Sequence, residues 1–170
     1  METIEAIYSR HSSRSFTDEP VTDWEISLLL KAAQCAPVGH GEYDSLQITV
    51  ITDREVLVEI NEKTRFSSAS SPIYNVPLLI LVSAKPSALA RNMHIASAAC
   101  VVENMLIAAA DMRLQSVFLW GFVERLKNCP ELVERLGIET GRLPVCGAGI
   151  GHAVDGLERK APHRIDVSYV

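Results

Sequence analysis

Between Asn92 and Met112, apolar residues fall on nearly every side of a helix: Ala96, Ala98, Ala99, Val101, Val102, Met105, Leu106, Ile107 and Ala109. A helix that is apolar all round must be covered all round, by its own protein, by a membrane or by another chain. A membrane span asks for about 20 uninterrupted apolar residues, whereas Glu103 and Asn104 break this run at its middle. No second candidate span exists, so the membrane reading is rejected. The chain has 170 residues, about one ordinary domain by length, and one such domain cannot easily enclose this helix. Its many small residues permit another backbone to approach closely. The segment therefore predicts an interface between two copies of the chain.

The rest of the composition narrows the function classes. Apolar residues make up 48% and charged residues 22%, which suits a globular protein and excludes a disordered one. The net charge of −5 lacks the basic excess that attracts nucleic acid or an anionic membrane, so any anion must be bound locally. Cys35, Cys100, Cys129 and Cys146 form no C-x-x-C pair, which suggests neither a zinc site nor a redox dithiol, and a reducing cytoplasm is the expected compartment. Glu2 and Glu5 interrupt the N-terminal stretch, which therefore does not read as an ordinary signal peptide, and the mature chain is expected to begin here.

Periodicity and capping patterns give the elements. Ile4, Ile7 and Tyr8 mark a short amphipathic helix over residues 2–10. Thr22 and Glu25 fit a capping box for a helix over about 23–35, ending before Pro37. Leu46 to Ile51 is rich in β-branched residues and reads as a strand. Thr52 and Glu55 repeat the capping spacing ahead of a third helix. Residues 64–72 are Ser-rich and aperiodic, which predicts a weakly ordered loop. Pro77 to Ala84 is a continuous apolar run, as in a strand buried on both faces. Ser116 to Trp120 and Leu143 to Ile150 read as further strands, with a short helix from Pro130 to Leu136 closed by Gly137. No internal repeat or linker is visible, and residues 1–170 are expected to form a single domain.

Three familiar chemical signals fail. Gly147, Gly149 and Gly151 follow a strand, but the dinucleotide fingerprint wants Gly or Ala where His152 stands, then a helix and a downstream acid. His11, His40, His94, His152 and His163 show no paired ligand spacing, so no metal is indicated. There is no G-x-S-x-G and no Cys with an evident His partner in local sequence. One cluster survives: Arg10, His11, Ser12, Ser13 and Arg14. Two guanidinium charges, an imidazole and two hydroxyls make an oxyanion cradle, because Arg grips phosphate through a bidentate fork and Ser adds a neutral donor. The alternative is a solvated basic turn paired with Glu2, Glu5 or Asp18.

These residues also carry a resemblance. R-H-S-S-R-S-F-T-D-E-P-V, followed by a capped helix and A-A-Q-C-A-P-V-G, resembles the opening of the nitroreductase family of FMN-dependent enzymes. E-N-M-L-I-A-A-A-D-M-R-L-Q-S-V-F-L-W-G-F resembles its long central helix and the strand behind it, and C-G-A-G-I-G-H its closing strand. The three stretches are collinear over essentially the whole chain.

The resemblance implies an α+β fold: a central, mostly antiparallel sheet flanked by helices, in an intertwined homodimer with a long buried central helix and two FMN sites at the subunit interface. It implies that Arg10, His11 and Ser12 contact the FMN phosphate and ribityl chain, and that Arg14 reaches the N1 and O2 edge of the flavin. A cation there would stabilise the charge that reduction places on that edge. Pro37, Val38 and Gly39 match a segment supplied from the other subunit. Leu119, Trp120 and Gly121 match the strand end beside the flavin, with an amide near Gly121 facing N5. Arg159 and Lys160 match a basic pair completing the phosphate site. Segment 41–45 (Gly-Glu-Tyr-Asp-Ser) departs from the family's N-x-Q-P-W.

The implied activity is transfer of electrons from NADH or NADPH, through FMN, to an electron-poor small-molecule acceptor of nitroaromatic or quinone type by a ping-pong cycle. The flavin does that chemistry, so no residue is assigned as a catalytic acid or base. Two alternatives stand beside it: a same-fold flavoprotein that dehalogenates or oxidises a metabolite, and a flavin-binding protein with little turnover.

Overall fold

β2 (Leu78–Ala84) is buried along its whole length, the condition its unbroken apolar sequence anticipates. β1 (Leu46–Ile51) and β4 (Leu143–Gly151) flank it, and β3 (Gln115–Leu119) lies beyond β4, giving the order β1-β2-β4-β3. All three pairings are antiparallel. The computed structural model describes residues 2–88, 90–154 and 163–170.

Alternation along the strands feeds two cores. Leu78, Ile80 and Val82 of β2 and Cys146, Ala148 and Ile150 of β4 meet α2 (Asp23–Gln34) and α4 (Met93–Asp111) on one face. Leu79 and Leu81 of β2 and Val117 and Leu119 of β3 meet α3 (Arg54–Lys63), α5 (Val123–Leu126) and α6 (Pro130–Arg135) on the other. A short α1 (Thr3–Ser9) rests on α4. The result is a sheet with a helical layer on each face.

α4 is long and apolar enough to cross a membrane, but Ala98, Val102, Met105 and Ala109 have no exposed surface because the helix is packed on the sheet. Within one chain it is not covered all round. Ala96 and Glu103 are exposed, while Ala99, Cys100 and Ile107 are only half-buried. These positions recur every three to four residues and form one uncovered stripe.

The capping box of α2 is present: Glu25 N–H donates to Thr22 Oγ1 at 3.3 Å, and Thr22 N–H donates to Glu25 Oε2 at 2.8 Å. For α3 the expected Thr52 cap is corrected to Asp53. Its carboxylate accepts from the N–H groups of Glu55 at 2.9 Å and Val56 at 3.2 Å. Asp at this position also suits the positive end of the helix dipole.

The glycines of β4 serve packing. A Cβ on Gly149 would stand 2.7 Å from Val76 Cγ1 and 3.0 Å from Leu119 Cδ1, so the bare backbone lets Leu119 and the 73–77 segment close onto the sheet. Cys146 of the same strand is fully buried, and burial pushes its thiol up to about 12. It is an inert packing group rather than a nucleophile.

Candidate functional site

β3 is an edge strand of the four-stranded sheet, and an open edge needs a cover. The chain after α1 provides it. Ser12 bridges Ser116 in parallel, Ser13 N–H donates to the Ser116 carbonyl at 2.9 Å, and Phe16 bridges Ala153 beyond the end of β4. The Arg-His-Ser-Ser-Arg turn is therefore bound to the strand that ends at Leu119.

From this position Arg14 reaches Tyr74. Its Nε donates to the Tyr74 hydroxyl at 3.3 Å, and its guanidinium lies 5.6 Å from the Tyr74 ring centroid. Tyr74 lines a cleft of about 330 Å³ with Phe66, Ser70, Ser71, Phe118, Leu119, Trp120 and Gly121. Arg14 and the Leu119–Gly121 strand end thus meet at one cleft, through a tyrosine that sequence reasoning did not single out. Gly121 lets Phe66 close onto the strand end: a Cβ would sit 3.3 Å from Phe66 Cζ.

Arg10 and His11 lie at the α1 end of the same turn. Arg10 Nε is 3.8 Å from Glu103 Oε1 on the uncovered stripe of α4. Glu103 is half-exposed, and the partial desolvation of its carboxyl pushes it above its ordinary value against the opposing pull of Arg10. His11 Nδ1 stands 3.1 Å from the Ser9 carbonyl, which fixes the ring locally. Pairing with an acid, the bland alternative for the basic turn, is thus realised by Arg10, with Glu103 as the acid.

The other segments are placed differently. Pro37, Val38 and Gly39 are seated on the first half of α4, where Gly39 N–H donates to Ser97 Oγ at 3.1 Å and a Cβ on Gly39 would collide with Met93. The structure does not bring them to the Tyr74 cleft of their own chain. Arg159 and Lys160 lie outside the described residues.

The Ser-rich loop is better organised than its composition suggests. Ser70 Oγ accepts from the N–H groups of Phe66 and Ser67 at 2.9 and 3.1 Å and donates to the Ser67 carbonyl at 2.9 Å. Buried Asn61 holds the next turn, its Oδ1 accepting from Ser71 Oγ at 3.2 Å and Ile73 N–H at 3.3 Å. That turn places Tyr74 and Asn75 at φ 53° and 52°, a left-handed conformation that non-glycine residues adopt only when their surroundings impose it. Phe66 and Tyr74 escaped sequence reasoning because aromatic rings in an aperiodic stretch leave no pattern. The two consecutive left-handed residues have no sequence signal beyond Asn75 itself, a residue type that tolerates this conformation.

A larger hollow of about 660 Å³ lies between the start of α2 and the β1–α3 junction. Its Asp18 and Arg54 already face each other at 3.8 Å, and none of the expected site residues lines it.

Fold and cleft together define a helix-flanked antiparallel sheet whose covered edge strand ends in a small aromatic cleft with an arginine at its mouth. The chain belongs to the nitroreductase family, whose model matches residues 7–152. It is 29% identical over 154 residues to an Archaeoglobus fulgidus protein provisionally named an NADH dehydrogenase/NAD(P)H nitroreductase, covering 91% of this chain and 87% of that one. It is 26% identical to the Bacillus subtilis FMN reductase [NAD(P)H], covering 94% and 69% of the two chains. A Bacteroides fragilis nitroreductase with bound FMN superposes with a TM-score of 0.86 at 22% identity, over 100% of this chain and 99% of that one. At that identity the likeness concerns the fold, and the expected α+β arrangement is the one observed.

Proposed function

We propose that this chain is an FMN-dependent oxidoreductase that takes electrons from NADH or NADPH and passes them to a nitroaromatic or quinone acceptor in a ping-pong cycle. The observation that carries the reading is the pairing of Ser13 with Ser116, which delivers Arg14 to the cleft formed by Tyr74 and the Leu119–Gly121 strand end. Family membership and the names of the relatives support it.

The residues present fit a flavin mononucleotide. A cleft of about 330 Å³ is at the lower end of small-molecule sites, and its openness suits a cofactor that extends beyond it. Phe118, Leu119 and Trp120 offer walls for a planar ring, and Gly121 offers backbone without a side chain. When bound, the flavin supplies the hydride and electron chemistry; the protein supplies binding, orientation and electrostatics.

Arg10, His11 and Ser12 are the proposed phosphate and ribityl contacts, with Arg159 and Lys160 as further cations. Arg14 is the proposed partner of the pyrimidine edge. Its guanidinium is always protonated and needs no reorganisation to meet negative charge. The main chain at Gly121 offers a donor with no Cβ in its way. No side chain is assigned a proton-transfer role.

The acting unit is proposed to be an intertwined homodimer with two sites. The uncovered stripe of α4 continues onto Ile4, Ile7 and Tyr8 of α1, all exposed in one chain. Residues 163–170 are exposed throughout, and within them apolar Ile165, Val167 and Tyr169 alternate with Arg164, Asp166 and Ser168, as in a segment that buries one face on a partner. In that assembly Pro37, Val38 and Gly39 serve the partner's site, which accounts for their distance from their own.

The test is steady-state oxidation of NADH and of NADPH by the FMN-loaded protein, with a quinone and with a nitroaromatic acceptor. Acceptor-dependent oxidation with intersecting-free, parallel double-reciprocal lines is expected. Bound FMN with no stimulation above buffer would reject the oxidoreductase reading in favour of a flavin-binding protein.

A further inference from the structure

The two cation–π contacts among the described residues both lie on the Tyr74 cleft. Arg14 lies over Tyr74, and the Arg125 guanidinium lies 4.8 Å from the centroid of Phe66. Phe66 in turn stands over Gly121, close enough that a Cβ there would be 3.3 Å from Cζ and 3.6 Å from Cε2. Arg125, on α5, is thereby stacked on a ring that lines the cleft, one side chain away from the cleft itself.

Its charge is uncompensated among the described residues. The adjacent Glu124 is engaged with Lys127 at 2.7 Å, and Arg125 has no ion-pair partner there. The cleft lining contains no acid either: it consists of Phe66, Tyr74, Trp120 and their apolar and serine neighbours. In a protein of net charge −5, this guanidinium thus stands one ring away from an acid-free aromatic wall with its charge engaged in no ion pair among the described residues. Stacking on Phe66 limits its rotamers, so less freedom is lost when it binds an anion.

We infer that Arg125 is a specificity residue that selects planar aromatic guests bearing a negative charge, a carboxylate above all, over neutral aromatics of the same shape. The inference rests on the oxidoreductase reading for the reaction such a guest would undergo, but the binding preference itself does not require turnover. The guest's ring is recognised at the part of the aromatic lining that the cofactor leaves open, and Arg125 recognises the anion as a charge-assisted contact. Phe66 is a positioning residue, because it acts by holding Arg125.

The experiment compares para-nitrobenzoate with para-nitrobenzamide, an anion and its neutral near-isostere, on the FMN-loaded protein. Affinities are read by calorimetry and turnover separately. The wild type is expected to favour the benzoate. The ratio of affinities should fall about tenfold in R125A, as expected for loss of one charge-assisted contact, and be largely kept in R125K. Rising ionic strength should erode the wild-type preference and leave R125A unmoved, a response that a purely structural residue would not show. An unchanged ratio in R125A overturns the inference. So does a loss confined to NADPH relative to NADH with the acceptor ratio kept, which would place the recognised anion on the donor's phosphate. Selective binding that depends on Arg125, without turnover of either compound, supports the inference and rejects the oxidoreductase reading alone.

Discussion

Arg14 has one of its donors on Tyr74 at 3.3 Å, which leaves the terminal nitrogens of its fork for a ligand. If those nitrogens meet the pyrimidine edge, Arg14→Ala should lower the flavin potential more than it lowers occupancy. Dye equilibration measures the first and absorbance after dialysis the second; an unaltered potential would remove Arg14 from that role. Glu103 gives a prediction of a different kind. Its carboxyl is raised above the ordinary 4.5, chiefly by burial, so the native state holds this proton more tightly than the unfolded state. The associated stability is present below the unfolded value and is lost as pH rises through the raised native one. Across that window the melting temperature of Glu103→Gln should gain slightly on the wild type, the effect being small for a half-exposed group, and a gap independent of pH would show that partial desolvation does not raise Glu103. At this scale the sequence was informative about charge and silent about contact. Arg10 and Arg14 stood out as a cluster, yet nothing in the chain marked Glu103 or Tyr74 as their neighbours, because those pairings depend on how α1, α4 and the 73–77 turn pack.

Elements with a local cause were legible from sequence. Thr22 and Glu25 close the capping box that starts α2, and Leu46–Ile51 is the strand its β-branched residues predict. The start of α3 shifted by one residue because Asp53 and Thr52 are both capping types, and only the backbone decides which side chain faces the free N–H groups. α5 was missed; four residues leave no period. The 64–75 stretch shows the limit most clearly. Its serines suggest weak order, while Ser70 and the distant, buried Asn61 tie it down. Asn61→Leu should therefore strand the Ser71 hydroxyl and the Ile73 N–H, costing about 1–3 kcal/mol, and release the left-handed Tyr74. Thermal melting reads the cost, and amide exchange across residues 71–75 reads the release; protection equal to wild type would show that Asn61 does not hold the turn.

For the whole molecule, the decisive feature is that one chain leaves its most apolar helix unfinished. Eight residues of α4 are buried, yet the stripe through Ala96, Ala99, Glu103 and Ile107 is not fully covered. The sequence indicated both halves of this, a helix too apolar for a surface and a chain too short to enclose it. It could not say which face would remain open, since that depends on the crossing of α4 over the sheet. Ala99→Arg places a long charged side chain on the stripe and should abolish assembly and strip flavin together, as judged by sedimentation and absorbance. A yellow dimer carrying that change would put the interface elsewhere.

The Tyr74 cleft and the Arg-His-Ser-Ser-Arg turn are proposed to be halves of one flavin site. The most direct test is the absorbance spectrum of the purified protein, with the released cofactor identified after denaturation and the apoprotein titrated with FMN. The prediction is bound FMN at about one per chain, with occupancy regained on titration. A colourless protein that takes up no added FMN would contradict it.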